Sequence, residues 1–206
     1  MIPASLRAAR VPGASPALRS LALSLLLLAT VTGCGATASP SPRFNPTGPC
    51  TTDGKAAGAY PLLEVRIPKM LGGKAPQTLD SGRNCSAANL ATLANHGIKE
   101  VRFAGGVWPD SNQSGFTLAV FSAPGLTAEW IGEWYEVGAR AARSTQAINP
   151  SRPTVAGRQA YRLDLVNGES SQTVIAWPSS SGDVVQVIIA ADESESRIQA
   201  ALAAFP

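Results

Sequence analysis

Histidine, cysteine and charged side chains are all scarce in this sequence. Its 206 residues include one histidine and three cysteines, and charged residues make up 15% of the chain, against about 25% in average domains. So few histidines and cysteines leave almost no ligand set for a zinc site of the usual type. Apolar residues nevertheless reach 45%, so the chain has enough of them to pack a core and wholesale disorder is not expected.

The small excess of basic residues is confined to one end of the chain. There are 17 Lys and Arg against 14 Asp and Glu. Arg7, Arg10 and Arg19 account for the whole excess, so residues 34–206 carry 14 side chains of each sign. A neutral remainder offers no basic patch, which disfavours nucleic acid as a partner.

The first 33 residues have the layout of an export signal. The three arginines precede an uninterrupted apolar run at 21–31, which is followed by Thr32-Gly33-Cys34. A membrane-spanning helix needs about 20 apolar residues, so this run is too short for one. A basic region, a short apolar region and small residues before a cleavage point are typical of a secretory signal peptide.

Val31-Thr32-Gly33-Cys34 resembles the lipobox of bacterial lipoproteins. The resemblance implies that residues 1–33 are removed, that Cys34 is acylated, and that the protein is held at the extracytoplasmic face of a membrane. Stable anchoring needs two or more acyl chains, which diacylation of Cys34 would supply. The alternative is an ordinary secretory peptide in which Cys34 is incidental.

The remaining cysteines, Cys50 and Cys85, form an even pair once Cys34 is assigned to lipid. Exported proteins reside in oxidising compartments where disulfides persist, so we predict a structural Cys50–Cys85 bond. The alternatives are two free thiols, a metal pair or a redox couple. No CxxC spacing or neighbouring histidine supports those alternatives.

Composition divides the exported chain into a tether and one domain. Residues 34–59 are rich in Pro, Ser, Thr and Gly, which is typical of a flexible linker. Its last part is expected to be fastened to the domain by Cys50. Residues 60–206 are predicted to form a single domain.

Hydrophobic periodicity and turn residues predict the elements of that domain. Residues 60–67 alternate like a strand, and 72–84 lack a pattern and are interpreted as loop. Strands are also predicted at 99–108, 116–121, 161–165, 173–177 and 184–190. Helices are predicted after Ser86, after Thr127 and at the carboxyl end. We therefore expect an α+β fold, with an antiparallel sheet of about six strands flanked by a short N-terminal helix, a long central helix and a C-terminal helix.

Several local signals refine this prediction. Ser86 and Thr127 are expected N-caps, and Asp192 with Glu195 is expected to form a capping box. Gly105-Gly106 is interpreted as a bulge and Asn167-Gly168 as a hairpin turn. The predicted core stripes of the long and last helices are Trp130, Trp134, Val137, Gly138 and Ala141, and Ile198, Ala201, Leu202 and Phe205.

The order of strands and helices resembles the PsbP-like fold, which the extrinsic protein P of photosystem II shares with many bacterial lipoproteins. The likeness covers residues 60–206 and depends on that order, on the segment Thr154–Tyr161 before the last three strands, and on the final helix. It implies a non-enzymatic accessory or binding domain. No metal or cofactor residue can be carried over, because no such motif matches here.

Candidate catalytic residues are few. His96, the only histidine, directly precedes Gly97 at a predicted helix end, where histidine usually has a structural role. No nucleophile motif accompanies it. Glu129, Glu133 and Glu136 could suggest a glycosidase, but a solvated helix face explains them more simply. No enzyme activity is therefore predicted, and a cell-envelope hydrolase is the third alternative.

Trp108 and Trp177 both end predicted strands and are followed by proline. Aromatic residues at strand ends could line a groove for a glycan or lipid, so we propose that this pair flanks an open edge of the sheet. The alternative is that both lie in the core. The function expected from the sequence is a membrane-anchored accessory or binding domain, acting on an envelope protein or an apolar ligand held between sheet and helices.

Overall fold

The computed structural model describes residues 44–110 and 114–205. Cys34 and the predicted signal peptide therefore lie outside the described residues. Among the helices that are described, none is long and apolar enough to cross a membrane.

An antiparallel sheet of eight strands forms the centre of the domain. Its strands are β1 (Gly54–Ala56), β2 (Thr78–Asn84), β3 (Val101–Pro109), β4 (Gly115–Ser122), β5 (Ala147–Ser151), β8 (Tyr161–Asn167), β9 (Ser170–Pro178) and β10 (Val184–Ala191). Their spatial order is β1-β2-β3-β4-β10-β9-β8-β5. A separate ribbon pairs β6 (Thr154–Val155) with β7 (Arg158–Gln159). The predicted α+β class is confirmed, but the sheet is larger than the six strands expected.

The helices differ from the prediction in number and position. They are α1 (Pro61–Glu64), α2 (Ala87–Leu90), α3 (Thr92–Asn95), α4 (Ala128–Ala141) and α5 (Glu195–Ala204). The long and the C-terminal helices are present. The short helix predicted after Ser86 is divided into two one-turn helices, α2 and α3, and α1 is a further one-turn helix that was not predicted.

The chain from 60 to 84 reverses the predicted assignment. Pro61 occupies the first helical position, where its fixed φ favours a helix, and the Tyr60 carbonyl accepts the amides of Leu63 and Glu64. The predicted strand at 60–67 was therefore wrong. The segment interpreted as loop contains β2 instead, because its buried positions include the polar Ser81 and Arg83, which hide the apolar alternation of a strand.

The hairpins follow their sequence signals with local corrections. β3 pairs with β4 without a break from Arg102 to Pro109, so the expected bulge at Gly105-Gly106 is absent. In the β8–β9 hairpin, Asn167 pairs with Ser170. Its two loop residues are therefore Gly168 and Glu169, and Gly168 takes the positive φ of +68° that the turn needs.

Both faces of the sheet are covered, and each has its own core. The α4 face, covered by α2, α3 and α4, buries among others Leu93, Val101, Ile131, Leu163 and Val187. The α5 face, covered by α5 and the segment around Ile67, buries among others Trp108, Leu118, Ile175, Trp177 and Ile198. β10, at the middle of the sheet, contributes to both cores because its alternate residues point to opposite faces.

The sheet-facing side of α4 is not the predicted stripe. Ile131 and Gly132 are buried, whereas Val137, Gly138 and Ala141 are exposed. The ring of Tyr161 lies against Gly132, where an added Cβ would come within 2.0 Å of the ring Cγ atom. The buried side of α4 is therefore shifted around the helix axis by about one residue from the predicted stripe.

Helix α5 begins differently from the prediction but buries the expected side. Its N-cap is Ser194. Asp192 has a φ of +50°, and its Oδ1 atom accepts the Ser171 amide at 2.6 Å, so the capping box with Glu195 does not form. Ile198, Ala201 and Phe205 are buried and Leu202 packs against them, as predicted.

The described residues before Tyr60 are fastened to the sheet, and we call residues 44–59 the clamp. The predicted disulfide between Cys50 and Cys85 is present. The buried guanidinium of Arg83 donates to the carbonyls of Asn45, Gly48 and Pro49 at 2.6–3.0 Å. The sheet therefore begins at Gly54 rather than at the predicted boundary of residue 60.

Asp53 completes the clamp through four hydrogen bonds. Its carboxylate accepts the amides of Cys85 and Ser86 and the side chains of Ser86 and Asn89. Burial alone would raise the pKa of Asp53, but these hydrogen bonds outweigh burial and lower it. Asp53 therefore stays ionised and ties the clamp to the start of α2.

Candidate functional site

The main apolar cavity of the described residues is a groove beside α4, which we call the α4 groove. Its volume is about 520 Å³, within the range of small-molecule sites. It lies between the carboxyl half of α4, the α2–α3 junction and the β8–β9 hairpin. Its lining residues are Ala88, Asn89, Ala91, Trp134, Tyr135, Val137, Gly138, Ala139, Ala141, Ala142, Ser144, Thr145, Leu165, Asn167 and Gln172.

The rotated setting of α4 forms one wall of this groove. Ile131 and Gly132 are the residues of α4 that face the sheet. Trp134, Val137 and Gly138 lie on the neighbouring side of the helix and line the cavity. The Trp134 indole donates to the Asn89 carbonyl at 3.2 Å and packs edge-on against Tyr135. The indole is thereby fixed between α4 and the α2–α3 junction.

The groove has no charged lining residue. Its polar groups are the amides of Asn89, Asn167 and Gln172 and the hydroxyls of Tyr135, Ser144 and Thr145. Burial raises the pKa of Tyr135, so this hydroxyl is neutral at ordinary pH. The cavity therefore suits an uncharged ligand, since a charged ligand would lose hydration without gaining a counter-ion.

One polar atom of the lining residues is buried without a protein partner. Oδ1 of Asn167 accepts no hydrogen bond within the described chain. Buried polar atoms are nearly always hydrogen-bonded, so an unsatisfied one calls for an explanation. A ligand that donates a hydrogen bond through a hydroxyl or amide group would satisfy it.

The backbone is strained at one wall of the groove. Ala91, which separates α2 from α3, has a φ of +43°, a conformation that costs about 1 kcal/mol or more for a residue with a Cβ. This conformation changes the direction of the chain between α2 and α3, and Asn89 and Ala91 both line the groove.

The three glutamates of α4 are held by separate partners. Arg152 donates to Glu129 at 2.8 Å, and His96 contacts Glu133 at 3.2 Å. Glu136 accepts hydrogen bonds from Tyr161 and Arg140. Those from Tyr161 and then Arg140 lower the pKa of Glu136 below its ordinary value. Glu129 and Glu136 are thus ion-paired with arginines, and Glu133 contacts the His96 ring.

His96 lies where the sequence predicted, at the end of α3. Its ring stacks on Trp130, with 4.3 Å between the ring centroids, and its Nε2 atom faces Glu133 rather than the helix carbonyls. Among the described residues no serine, threonine or cysteine side chain hydrogen-bonds to His96. These contacts fasten α3 to α4.

Trp108 and Trp177 do not form a common groove. Trp108 is 5% exposed and Trp177 1% exposed, and both lie in the core of the α5 face. β3 and β9 run in opposite directions, so tryptophans near their carboxyl ends are at opposite ends of the sheet. The predicted edge site is corrected: the sheet continues beyond both strands, and neighbours cover both rings.

The sequence identified part of the α4 groove but gave it another role. Trp134, Val137, Gly138 and Ala141 were all on the predicted core stripe. Tyr135, Asn167 and Gln172 were missed. A second stripe, Ile131, Tyr135 and Ala139, runs beside the first at the same spacing, and its presence could have indicated that only one of the two faces the sheet.

Among the described residues there is no cluster of three or more potential metal ligands. No protein-family model matches the chain, and no curated protein sequence matches it.

Proposed function

We propose that this chain is a membrane-anchored extracytoplasmic lipoprotein, held through acylated Cys34, whose domain binds an uncharged, largely apolar ligand in the α4 groove. The anchor proposal is supported by the Val31–Cys34 pattern, and the Cys50–Cys85 bond suits an oxidising compartment. The PsbP-like resemblance is part of the proposal, supported by the order of the elements from β6 to α5.

The observation that carries the ligand proposal is an uncharged apolar groove beside a helix that is otherwise packed. Val137 is 46% exposed and Gly138 has open space around it. Leaving such surface uncovered has a free-energy cost. A bound ligand would recover that cost. The proposed activity is therefore binding, since the groove lacks an ionised acid, base or nucleophile.

A neutral fluorescent probe tests the ligand proposal. We would titrate the full chain carrying Cys34→Ser, which lacks the acylation site, with N-phenyl-1-naphthylamine and record energy transfer from tryptophan. We expect saturable binding in the micromolar range. The anionic analogue 1-anilinonaphthalene-8-sulfonate should bind much more weakly, because the groove has no cation.

Two matched leucine variants locate the binding site. Gly138→Leu places a side chain into the groove and should abolish binding of the neutral probe. Ser196→Leu adds an exposed leucine to α5, remote from the α4 groove, and should leave binding unchanged. Equal binding by both variants would refute the groove as the ligand site.

Anchoring is tested separately in a bacterial host. The parent chain should fractionate with membranes, and Cys34→Ser should move to the soluble extracytoplasmic fraction. Retention of Cys34→Ser on the membrane to the same extent as the parent would contradict anchoring through this residue.

A further inference from the structure

Exposed apolar side chains cluster in one short segment outside the α4 groove. Leu62, Val65 and Met70 are 82%, 75% and 51% exposed. They belong to residues 61–70, which we call the docking segment. Large apolar side chains exposed together usually mark a contact surface.

The charged residues of the docking segment divide into two groups. Arg66 and Lys69 are exposed and alternate with the apolar residues. Glu64, the only acid, is turned inward and accepts from the Gly58 amide at 2.7 Å and the Ser81 hydroxyl at 2.8 Å. The surface offered to a partner is therefore apolar and cationic, the combination that binds an anionic membrane interface.

A polar cavity lies beside the same segment. Its volume is about 520 Å³, and its lining includes Arg66, Lys69, Ser179 and Ser180. Arg66 points toward the loop that contains Ser179 and Ser180, because its guanidinium donates to the Ser181 hydroxyl at 2.5 Å. Cations and hydroxyls together are the groups that bind phosphate oxygens.

The docking segment and the clamp lie at the same end of the sheet. β2 and β9 run in the same direction, so Cys85 after β2 and Ser179 after β9 are at one end. The Tyr60 hydroxyl, directly before α1, donates to the Pro46 carbonyl at 3.1 Å. The described chain therefore starts beside the exposed apolar residues.

The length of chain before the clamp limits how far the domain can be from an anchor. Cys34 precedes Phe44 by ten residues, which can span at most about 35 Å when fully extended. A chain this short keeps the docking segment at high effective concentration near the bilayer.

We infer that residues 61–70 dock the domain onto an anionic phospholipid surface. Leu62, Val65 and Met70 enter the interface, and Arg66 and Lys69 contact headgroup phosphates. The inference extends the proposed anchoring through Cys34, which supplies the first attachment. Docking supplies a second and fixes the orientation of the domain.

A fluorescent label at residue 62 tests this inference. In the lipidated chain Cys34 is acylated and Cys50 is paired with Cys85, so Leu62→Cys introduces a single reactive thiol, which is labelled with a nitrobenzoxadiazole probe. In vesicles of phosphatidylcholine with phosphatidylglycerol we expect a blue-shifted emission and several-fold protection from iodide. The matched control is Glu169→Cys, at the far end of β9, which should show neither effect.

The lipid and the cations provide further controls. Vesicles of phosphatidylcholine alone should reduce the protection at residue 62. Arg66→Ser with Lys69→Ser should reduce it as well, because the equilibrium constant for docking should fall by about five-fold per cation removed. Arg143→Ser, an exposed arginine outside the segment, should leave protection at residue 62 unchanged.

Anchoring and docking fail in different ways. If the lipidated chain does not float with vesicles, anchoring through Cys34 is overturned, and docking is then measured by adding the anionic vesicles to labelled Cys34→Ser chain. If the chain floats and iodide quenches the labels at residues 62 and 169 equally well, docking is overturned and anchoring stands. If both labels are instead protected from iodide to the same extent, docking is also overturned, because the domain then has no preferred orientation.

Discussion

The two faces of the sheet are covered by one substantial helix each, and only one helix seals its face. On the α5 face, Phe205 meets Trp177 edge-on with ring centroids 5.5 Å apart, and Trp177 is almost completely buried. On the α4 face, Tyr161 fits against Gly132 and brings one part of the helix close to the sheet. The carboxyl half of α4 is left beside a cavity.

The difference shows that a single close contact can determine which side of a helix is buried and which side borders a cavity. A glycine–tyrosine contact fixes the rotation of α4, and with this rotation Val137 is exposed while Trp134 lies at the margin of the core, against Phe121 on one side and the cavity on the other. Helix α5 contains no glycine, and its apolar side packs as its sequence predicts. The following predictions test this contrast, from the largest expected effect to the smallest.

Removing a tryptophan should distinguish the two faces most strongly. Trp177→Ala should lower the free energy of unfolding by about 4 kcal/mol, as expected for a buried tryptophan, whereas Trp134→Ala should cost less than half as much because Trp134 borders a cavity. Urea denaturation of the full chain measures both. Trp177→Phe provides a milder variant if Trp177→Ala does not fold. Equal losses at the two positions would show that both faces are sealed alike.

A methyl group on α4 should have opposite effects at two glycines. Gly132→Ala should destabilise the fold by about 3 kcal/mol, because the new Cβ overlaps the Tyr161 ring. Gly138→Ala meets no atom within 4 Å and should stabilise the helix by about 0.5–1 kcal/mol. The free energies of unfolding are compared in urea. A stabilising Gly132→Ala would contradict the contact that sets the rotation of α4.

The Glu136–Tyr161 hydrogen bond should make the α4 face sensitive to acid. The pKa of Glu136 is lowered in the folded state from its ordinary 4.5, so its stabilising contribution is present above pH 4.5 and is lost as the pH falls through the folded-state pKa. Glu136→Gln should cost about 1 kcal/mol at neutral pH and should flatten the acid limb of the stability curve. An acid limb that is unchanged in Glu136→Gln would assign the effect to other carboxylates.

The smallest effect is expected at the strained wall of the groove. Ala91→Gly should raise the free energy of unfolding by up to about 1 kcal/mol, because glycine adopts a positive φ without strain. Ala88→Gly, the same substitution inside α2, should lower it by about as much. Thermal unfolding of the pair measures the sign of each change. If both substitutions destabilise, the conformation at Ala91 carries no strain.

The sequence predicted those parts of the fold whose pattern is local. The β3–β4 hairpin, the Thr127 N-cap of α4 and the buried side of α5 follow directly from turn residues, capping residues and periodicity. The Cys50–Cys85 bond followed from counting cysteines. Each of these features depends on residues close in sequence or on a composition that leaves one choice.

The errors arose where distant residues decide the structure. β2 contains Arg83, which is buried only because three carbonyls of the clamp surround it. The rotation of α4 is set by Tyr161, and the position of Asp192 by the Ser171 amide. No local pattern at those positions reports such partners, so the α4 groove could not be located from periodicity alone.

The Cys50–Cys85 bond determines how the domain would carry a mechanical load. A pull applied from the amino-terminal side enters the described chain at Phe44 and first strains the hydrogen bonds from Arg83 to Asn45, Gly48 and Pro49. Once these yield, about 20 Å of chain is released, and extension then stops at the covalent bond. The force passes directly to Cys85 at the end of β2, so residues 51–84 are bypassed and the docking segment keeps its place. Under load the clamp therefore extends by a short, limited length, and the disulfide then carries the force.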